Sequence, residues 1–214
     1  GFAKTIDVGA YERNKEAADT ENRYILRCKN TDKICIFTDR GQMHLLKVLD
    51  LPYGKFRDKG TPIDNLSNYN SSEENLVYIA PMADIRQKKL LFGTKTAMLK
   101  LVSGAEFDVA KRTTAATKLN EGDMVLFVHP VAESDHIVMQ SAKDMFLRIE
   151  AGTIPEKKKG AVGVRGMRLA SGDQLEAIYL LREEDEPVSV RIKDKEVVLN
   201  RLHVANRDTK GVKR

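Results

Sequence analysis

Lys33-Ile34-Cys35-Ile36-Phe37, Thr38-Asp39-Arg40-Gly41-Gln42 and Met43-His44-Leu45-Leu46-Lys47-Val48 are the three consecutive pieces whose reading decides the fold. Two apolar runs flank a polar turn, the pattern of a β-hairpin, and Gly41 supplies a residue able to take positive φ there. A basic loop follows, Lys55-Phe56-Arg57-Asp58-Lys59-Gly60, and then a third apolar run, Leu76-Val77-Tyr78-Ile79.

The same order returns along the chain. Further first strands are read at Lys88–Phe92, His136–Met139 and Pro187–Val190. Their hairpin turns are read at Gly93–Thr96, Ser141–Asp144 and Lys193–Lys195. Aligning Ile36, Leu91, Val138 and Val190 gives steps of 55, 47 and 52 residues. A period near 50 with four strands per unit fits a propeller blade. The expectation is an all-β chain of about five four-stranded blades, one incomplete, in a single domain over 1–214. Its units run 1–30 (partial), 31–86, 87–133, 134–184 and 185–214 (partial). Tyr11–Glu21 fits either a short exposed helix or a loop. The polar insertion Ser67–Ser72 reads as a mobile loop. Gly1-Phe2-Ala3-Lys4 matches the second half of a hairpin, starting where Gly41 sits, and the chain stops at Lys213-Arg214, before a next strand. Both ends therefore suggest a piece of a longer polypeptide.

Charge repeats with the strands. The candidate phosphate-binding residues are Lys55, Arg57 and Lys59; Lys111, Arg112 and Lys118; Lys157, Lys158, Lys159, Arg165 and Arg168; and Arg207, Lys210, Lys213 and Arg214. These fifteen of the 36 bases share their windows with only Asp58, Glu156 and Asp208 among 31 acids. The windows thus sum to +12 and leave −7 elsewhere, since the whole chain carries +5. Regularly spaced cations on a rigid array suit a duplex, whose phosphates they neutralise without regard to base sequence. Gly160, Gly163, Gly166 and Gly211 beside them would let backbone approach phosphate closely. The competing expectation for Arg165 is a pair with an acid of a neighbouring blade, and for Lys157-Lys158-Lys159 a merely solvated loop.

Other function classes receive less support. No apolar run approaches the ~20 residues of a membrane helix. Two cysteines, Cys28 and Cys35, suggest reduced structural thiols in the cytosol. No metal site is expected, because the four histidines show no metal spacing. Ser134-Asp135-His136 has triad letters but sits where polar residues serve a hairpin. A protein-interaction propeller binding an acidic partner stays open, although the chain has no Trp and such hot-spot residues are scarce.

Three strings carry a family resemblance: Asp39-Arg40-Gly41-Gln42-Met43-His44-Leu45-Leu46-Lys47-Val48, Lys59-Gly60-Thr61-Pro62-Ile63-Asp64-Asn65-Leu66 and Gly163-Val164-Arg165-Gly166-Met167-Arg168-Leu169. They resemble the C-terminal domain of the A subunit of bacterial type IIA topoisomerases, DNA gyrase and topoisomerase IV. The resemblance implies a β-pinwheel, a disc whose blades exchange strands, wrapping double-stranded DNA beside the cleavage gate. It implies a non-catalytic part of an ATP-dependent enzyme, without its own cofactor. ATP and Mg would belong elsewhere in a heterotetramer with the ATPase B subunit, in the bacterial cytoplasm at the nucleoid. Gyrases carry a Q-R-R-G-G-K-G box after the first strand. Here Arg13-Asn14-Lys15-Glu16-Ala17-Ala18-Asp19-Thr20-Glu21 stands in its place, with two bases against three acids. That favours a topoisomerase IV-like enzyme over a divergent gyrase.

Overall fold

The computed structural model describes all 214 residues. Three four-stranded antiparallel sheets form the middle of the molecule. The first is built on the hairpin β2 (Lys33–Thr38) and β3 (Gln42–Lys47), with β5 (Leu76–Pro81) along β2 and β8 (Thr113–Ala115) along β3. In the second, β6 (Lys89–Thr94) and β7 (Met98–Ser103) lie between β9 (Val125–Val131) and β12 (Val164–Arg165). In the third, β10 (His136–Ser141) and β11 (Met145–Glu150) lie between β13 (Leu175–Leu181) and β16 (Val212–Lys213). Two-stranded pieces flank them: β1 (Phe2–Ala3) with β4 (Thr61–Pro62), and β14 (Ser189–Ile192) with β15 (Lys195–Val198). Five sheets are present, and the two at the ends of the array are two-stranded, built on the units expected to be partial.

Four of the five sheets take their last strand from the following unit. β4, β8, β12 and β16 all cross back to pair with the preceding hairpin. The sequence units therefore do not coincide with the sheets. Neighbours are also stitched by backbone bonds: Val125 N donates to Asp39 O (2.9 Å) and Leu175 N to Lys95 O (2.8 Å).

The core lies between sheets, so the middle hairpins are buried on both faces. Cys35 and Phe37 of β2 pack forward onto Leu90 and Phe92 of β6, where Phe37 and Phe107 meet edge-on with centroids 5.0 Å apart. Ile34 and Ile36 pack backward with Val48, Ile63 and Tyr69. Leu91 points forward onto Ile137 and Met139, and Val138 forward onto Leu199 and Leu202. Double burial yields continuous apolar runs rather than alternation.

That continuity hides register. Lys33, Lys89, His136 and Ser189 each face the last residue of the hairpin's return strand, so the true steps are 56, 47 and 53. The alignment of Ile36 with Leu91 and Val138 is one residue late, and Val190 one early. A one-residue slip turns a side chain to the opposite face, and Ile36 does point backward where Leu91 points forward.

Other expectations are revised. Gly93 and Thr94 belong to β6 rather than to its turn. A Cβ on Gly93 would meet Ile178 Cδ1 at 2.2 Å, so a larger residue there would have to displace that side chain of the third sheet. Pro187 and Val188 precede β14. The Tyr11–Glu21 segment lies in two helices, α1 (Val8–Arg13) and α2 (Lys15–Glu21). The insertion expected to be mobile is tied down: Tyr69 is buried, Ser71 N donates to Asp64 (2.7 Å), Asn70 N to Glu74 (3.0 Å) and Asn68 Nδ2 to Thr113 (3.0 Å).

Candidate nucleic-acid interface

β5, β9 and β13, at one edge of successive sheets, touch one another. They mark the inside of the array, and the exchanged strands β8, β12 and β16 at the opposite edges mark its perimeter. Each basic window adjoins or spans an exchanged strand, with most of its cations in the stretch leading in. Arg165 and Lys213 lie within the strand and Lys118, Arg168 and Arg214 after it, so all four windows lie at the same outer corner of successive sheets. The charge repeat is thereby a spatial repeat.

Three corners share one construction. Thr5 bridges to Tyr53, Leu101 to Glu156 and Arg148 to Val204, each in parallel sense. Eight residues after each bridge the chain reaches Thr61, Val164 or Val212, which pairs in the exchanged strand. The glycine just before that strand lies against the neighbouring one. A Cβ on Gly60, Gly163 or Gly211 would approach Ala3 O, Leu99 O or Phe146 O to 2.4, 2.6 and 2.6 Å. These glycines, and buried Gly166 against Leu99, serve packing rather than an approaching phosphate; of the glycines beside the candidate cations, Gly160 alone faces open space.

The remaining corner is different. It has no arching loop: Leu45 N donates straight to Arg112 O (2.8 Å), and β8 starts at the next residue. The space is taken by the insertion from the preceding unit. His44 Nε2 meets Glu74 Oε1 at 2.7 Å, both side chains buried, and His44 Nδ1 meets Thr113 Oγ1 at 2.9 Å. An open polar depression of about 660 Å³, lined by Arg40, His44, Asn70 and Glu74 among others, lies beside it. The four basic windows are therefore not four copies of one loop.

The cations vary in freedom. Lys55, Arg57, Lys111, Lys118, Lys158, Lys210, Lys213 and Arg214 are exposed. Lys59, also exposed, lies over the Phe2 ring at 4.2 Å. Arg112 donates to Leu66 O (3.2 Å), Lys157 to Val162 O (3.2 Å), Lys159 to Glu106 O (3.0 Å) and Arg207 to Arg165 O (2.8 Å). Arg165 and Arg168 stand 3.5 and 3.7 Å from Asp208 of the next unit. The neighbouring-blade acid thus bears out the competing expectation for Arg165. Both side chains are still more than half exposed, and exposed pairs of this kind contribute about 0–1 kcal/mol, so the guanidiniums stay available to an anion.

Two lysines outside the candidate set escape a reading by charge. Lys100, 1% exposed, donates to Lys158 O (3.0 Å), Lys159 O (3.0 Å) and Ala161 O (2.8 Å). Lys4 does the same to Lys55 O (3.1 Å), Phe56 O and Asp58 O. A charged residue inside an apolar strand such as Met98–Ser103 was the available signal. Elsewhere, Asp135 of the triad-like string accepts from Ala132 N (2.8 Å) and faces Arg182, holding its turn. Cys35 is buried, and burial pushes its thiol up to about 12.

A family model described as "DNA gyrase C-terminal domain, beta-propeller" matches residues 88–132 and 135–182. The DNA gyrase A polypeptide of Lawsonia intracellularis is 26% identical over 232 residues, covering 99% of this chain and 28% of that protein. Over these residues the chain matches the DNA gyrase C-terminal domain family, and along nearly its whole length it is similar to a gyrase A subunit. It spans under a third of the length of that relative. A crystal structure of the C-terminal domain of DNA topoisomerase IV superposes with a TM-score of 0.87 at 21% identity, over 99% of this chain and 69% of that one. The DNA gyrase A C-terminal domain gives 0.64 at 19%, over 86% and 60%. Both share the fold, a β-pinwheel.

Proposed function

We propose that this domain binds double-stranded DNA along its perimeter, blind to base sequence, and leads it to the cleavage gate carried by the rest of an A subunit. The observation behind this reading is the placing of four cationic segments at equivalent outer corners of successive sheets. Lys and Arg there release counterions from the phosphates, and the contacts offset duplex bending that costs of order 1–6 kcal/mol per 20–30 bp. Residues 1–214 act as one wrapping domain, non-catalytic by itself, in a heterotetramer with an ATPase B subunit. Topoisomerase IV-like activity is favoured over gyrase activity. The box position is filled by helices α1 and α2, which bring Glu12, Glu16, Asp19 and Glu21.

Titrating duplexes of unrelated sequence against salt is the test. Affinity should fall about 10³–10⁵-fold from 50 to 200 mM salt if 6–10 phosphates are engaged, with little sequence preference. Salt-insensitive or absent binding would leave the acidic-protein partner as the better reading. Joining the chain to the rest of its polypeptide and to the ATPase partner, then assaying supercoiling and decatenation, decides the enzyme type.

A further inference from the structure

We infer that Lys4 and Lys100 are positioning residues, each drawing the carbonyls of a basic corner inward so that the corner's cationic side chains are presented outward. The inference rests on the duplex reading above.

The two sites are the same device twice. Lys4 precedes the bridged Thr5 and Lys100 the bridged Leu101. Counting from their bridge partners Tyr53 and Glu156, the accepting carbonyls lie two, three and five residues on: Lys55, Phe56 and Asp58, then Lys158, Lys159 and Ala161. An ammonium has three donors and no acceptor, so three carbonyls saturate it. Three carbonyls turned to one ammonium hold the corner's backbone against the sheet and leave its long cations free to project, although the Phe56 ring stays 5.6 Å from the Lys4 ammonium. Lys55, Arg57 and Lys158 are accordingly exposed. The equivalent places elsewhere hold His44, which meets Glu74, and Leu147, which is buried and apolar. The device thus marks two corners of four.

Several groups surround Lys100. Glu106 lies in the turn after β7, and Lys157, Lys158 and Lys159 lie on the corner itself. The Phe92 ring centroid is 5.7 Å away on β6, and Lys118 donates its backbone N–H to the shared Ala161 O (3.3 Å). Desolvation pushes the ammonium down to about 8, with Glu106 opposing and Lys157 assisting. Losing its proton removes one donor and the charge, which loosens the corner.

The experiment measures binding of a 60-bp duplex, at fixed low salt from pH 7 to 10, by the 214-residue chain and its K100M and K4M variants. Amide exchange of the corner backbones is followed in parallel. Expected for K100M are faster exchange at 158–161 and a duplex affinity about 5–10-fold lower at pH 7. Wild type should show an affinity step centred near pH 8 that K100M lacks. K4M, in the less buried cage, is expected to fold normally and lose a smaller factor, keeping the idea testable should K100M unfold. Wild-type affinity and pH profile in the variants would overturn the inference. If wild type itself binds no duplex, the duplex reading fails and the positioning role falls with it; unchanged corner exchange in the variants would show separately that the lysines do not order the corners.

Discussion

The corner at 156–164 and the corner at 112–114 carry the same kind of charge on different scaffolds. The first arches out for eight residues around the buried Lys100 ammonium. The second has no arch, and the position equivalent to Lys100 holds His44, bound to Glu74 from an inserted segment. One site gathers backbone dipoles around a cation; the other brings a carboxylate to the perimeter. Net charge per window therefore does not measure how far a corner reaches, because reach depends on loop length and on what fills the space beneath it.

Four changes would break or sharpen that contrast. Reversing Lys157, Lys158 and Lys159 to Glu is expected to lower duplex affinity at least about 50-fold near 100 mM salt. The salt slope should become shallower by about 2–3; Tm should stay nearly constant, and undiminished binding removes the arched corner from the interface. Next comes pH. Because the folded Lys100 ammonium titrates near 8 and an unfolded one near its ordinary value of 10.5, the unfolded chain holds more protons between those values. Wild-type stability should thus rise across pH 8 to 10.5 relative to K100M, by of order 2 kcal/mol, in denaturant titrations at each pH. A flat difference would show the ammonium to be unperturbed. Glu74→Ala leaves His44 Nε2 and Asn70 N without their acceptor, a cost of about 1.5 kcal/mol and a Tm lower by roughly 3–6 °C; no shift would mean the insertion does not support the short corner. Last, Lys111→Glu with Arg112→Glu should weaken the duplex less than about 5-fold. A loss matching the triple reversal would erase the distinction between corners.

The hairpins were legible because doubly buried strands leave long apolar runs between polar turns. The same burial erased the alternation that fixes facing, which sets Ile36 and Val190 one residue off in the repeat. At the terminal hairpin alternation returns: Ser189 and Arg191 are exposed while Val190 and Ile192 pack on the third sheet. The fifteen candidate cations were legible as charge, but their partners were not. Asp208 reaches Arg165 and Arg168 across some 40 residues of chain, and Lys4 reaches its carbonyls across about 50. Such contacts follow from strand exchange, which leaves no periodic mark. Lys100 was concealed by its type, since a lysine is ordinarily taken as solvated.

The sequence alone determined that the chain is a repeated β-hairpin array with positive charge at one recurring place, because burial period and turn chemistry are local properties written residue by residue. Tertiary structure alone decided which sheet each unit's last strand completes, that those places share an outer edge, and that one of four corners is built differently. The physical reason is that backbone hydrogen bonds between strands are chemically alike at every position. Which strand pairs with which is settled by the packing of whole sheets, face against face.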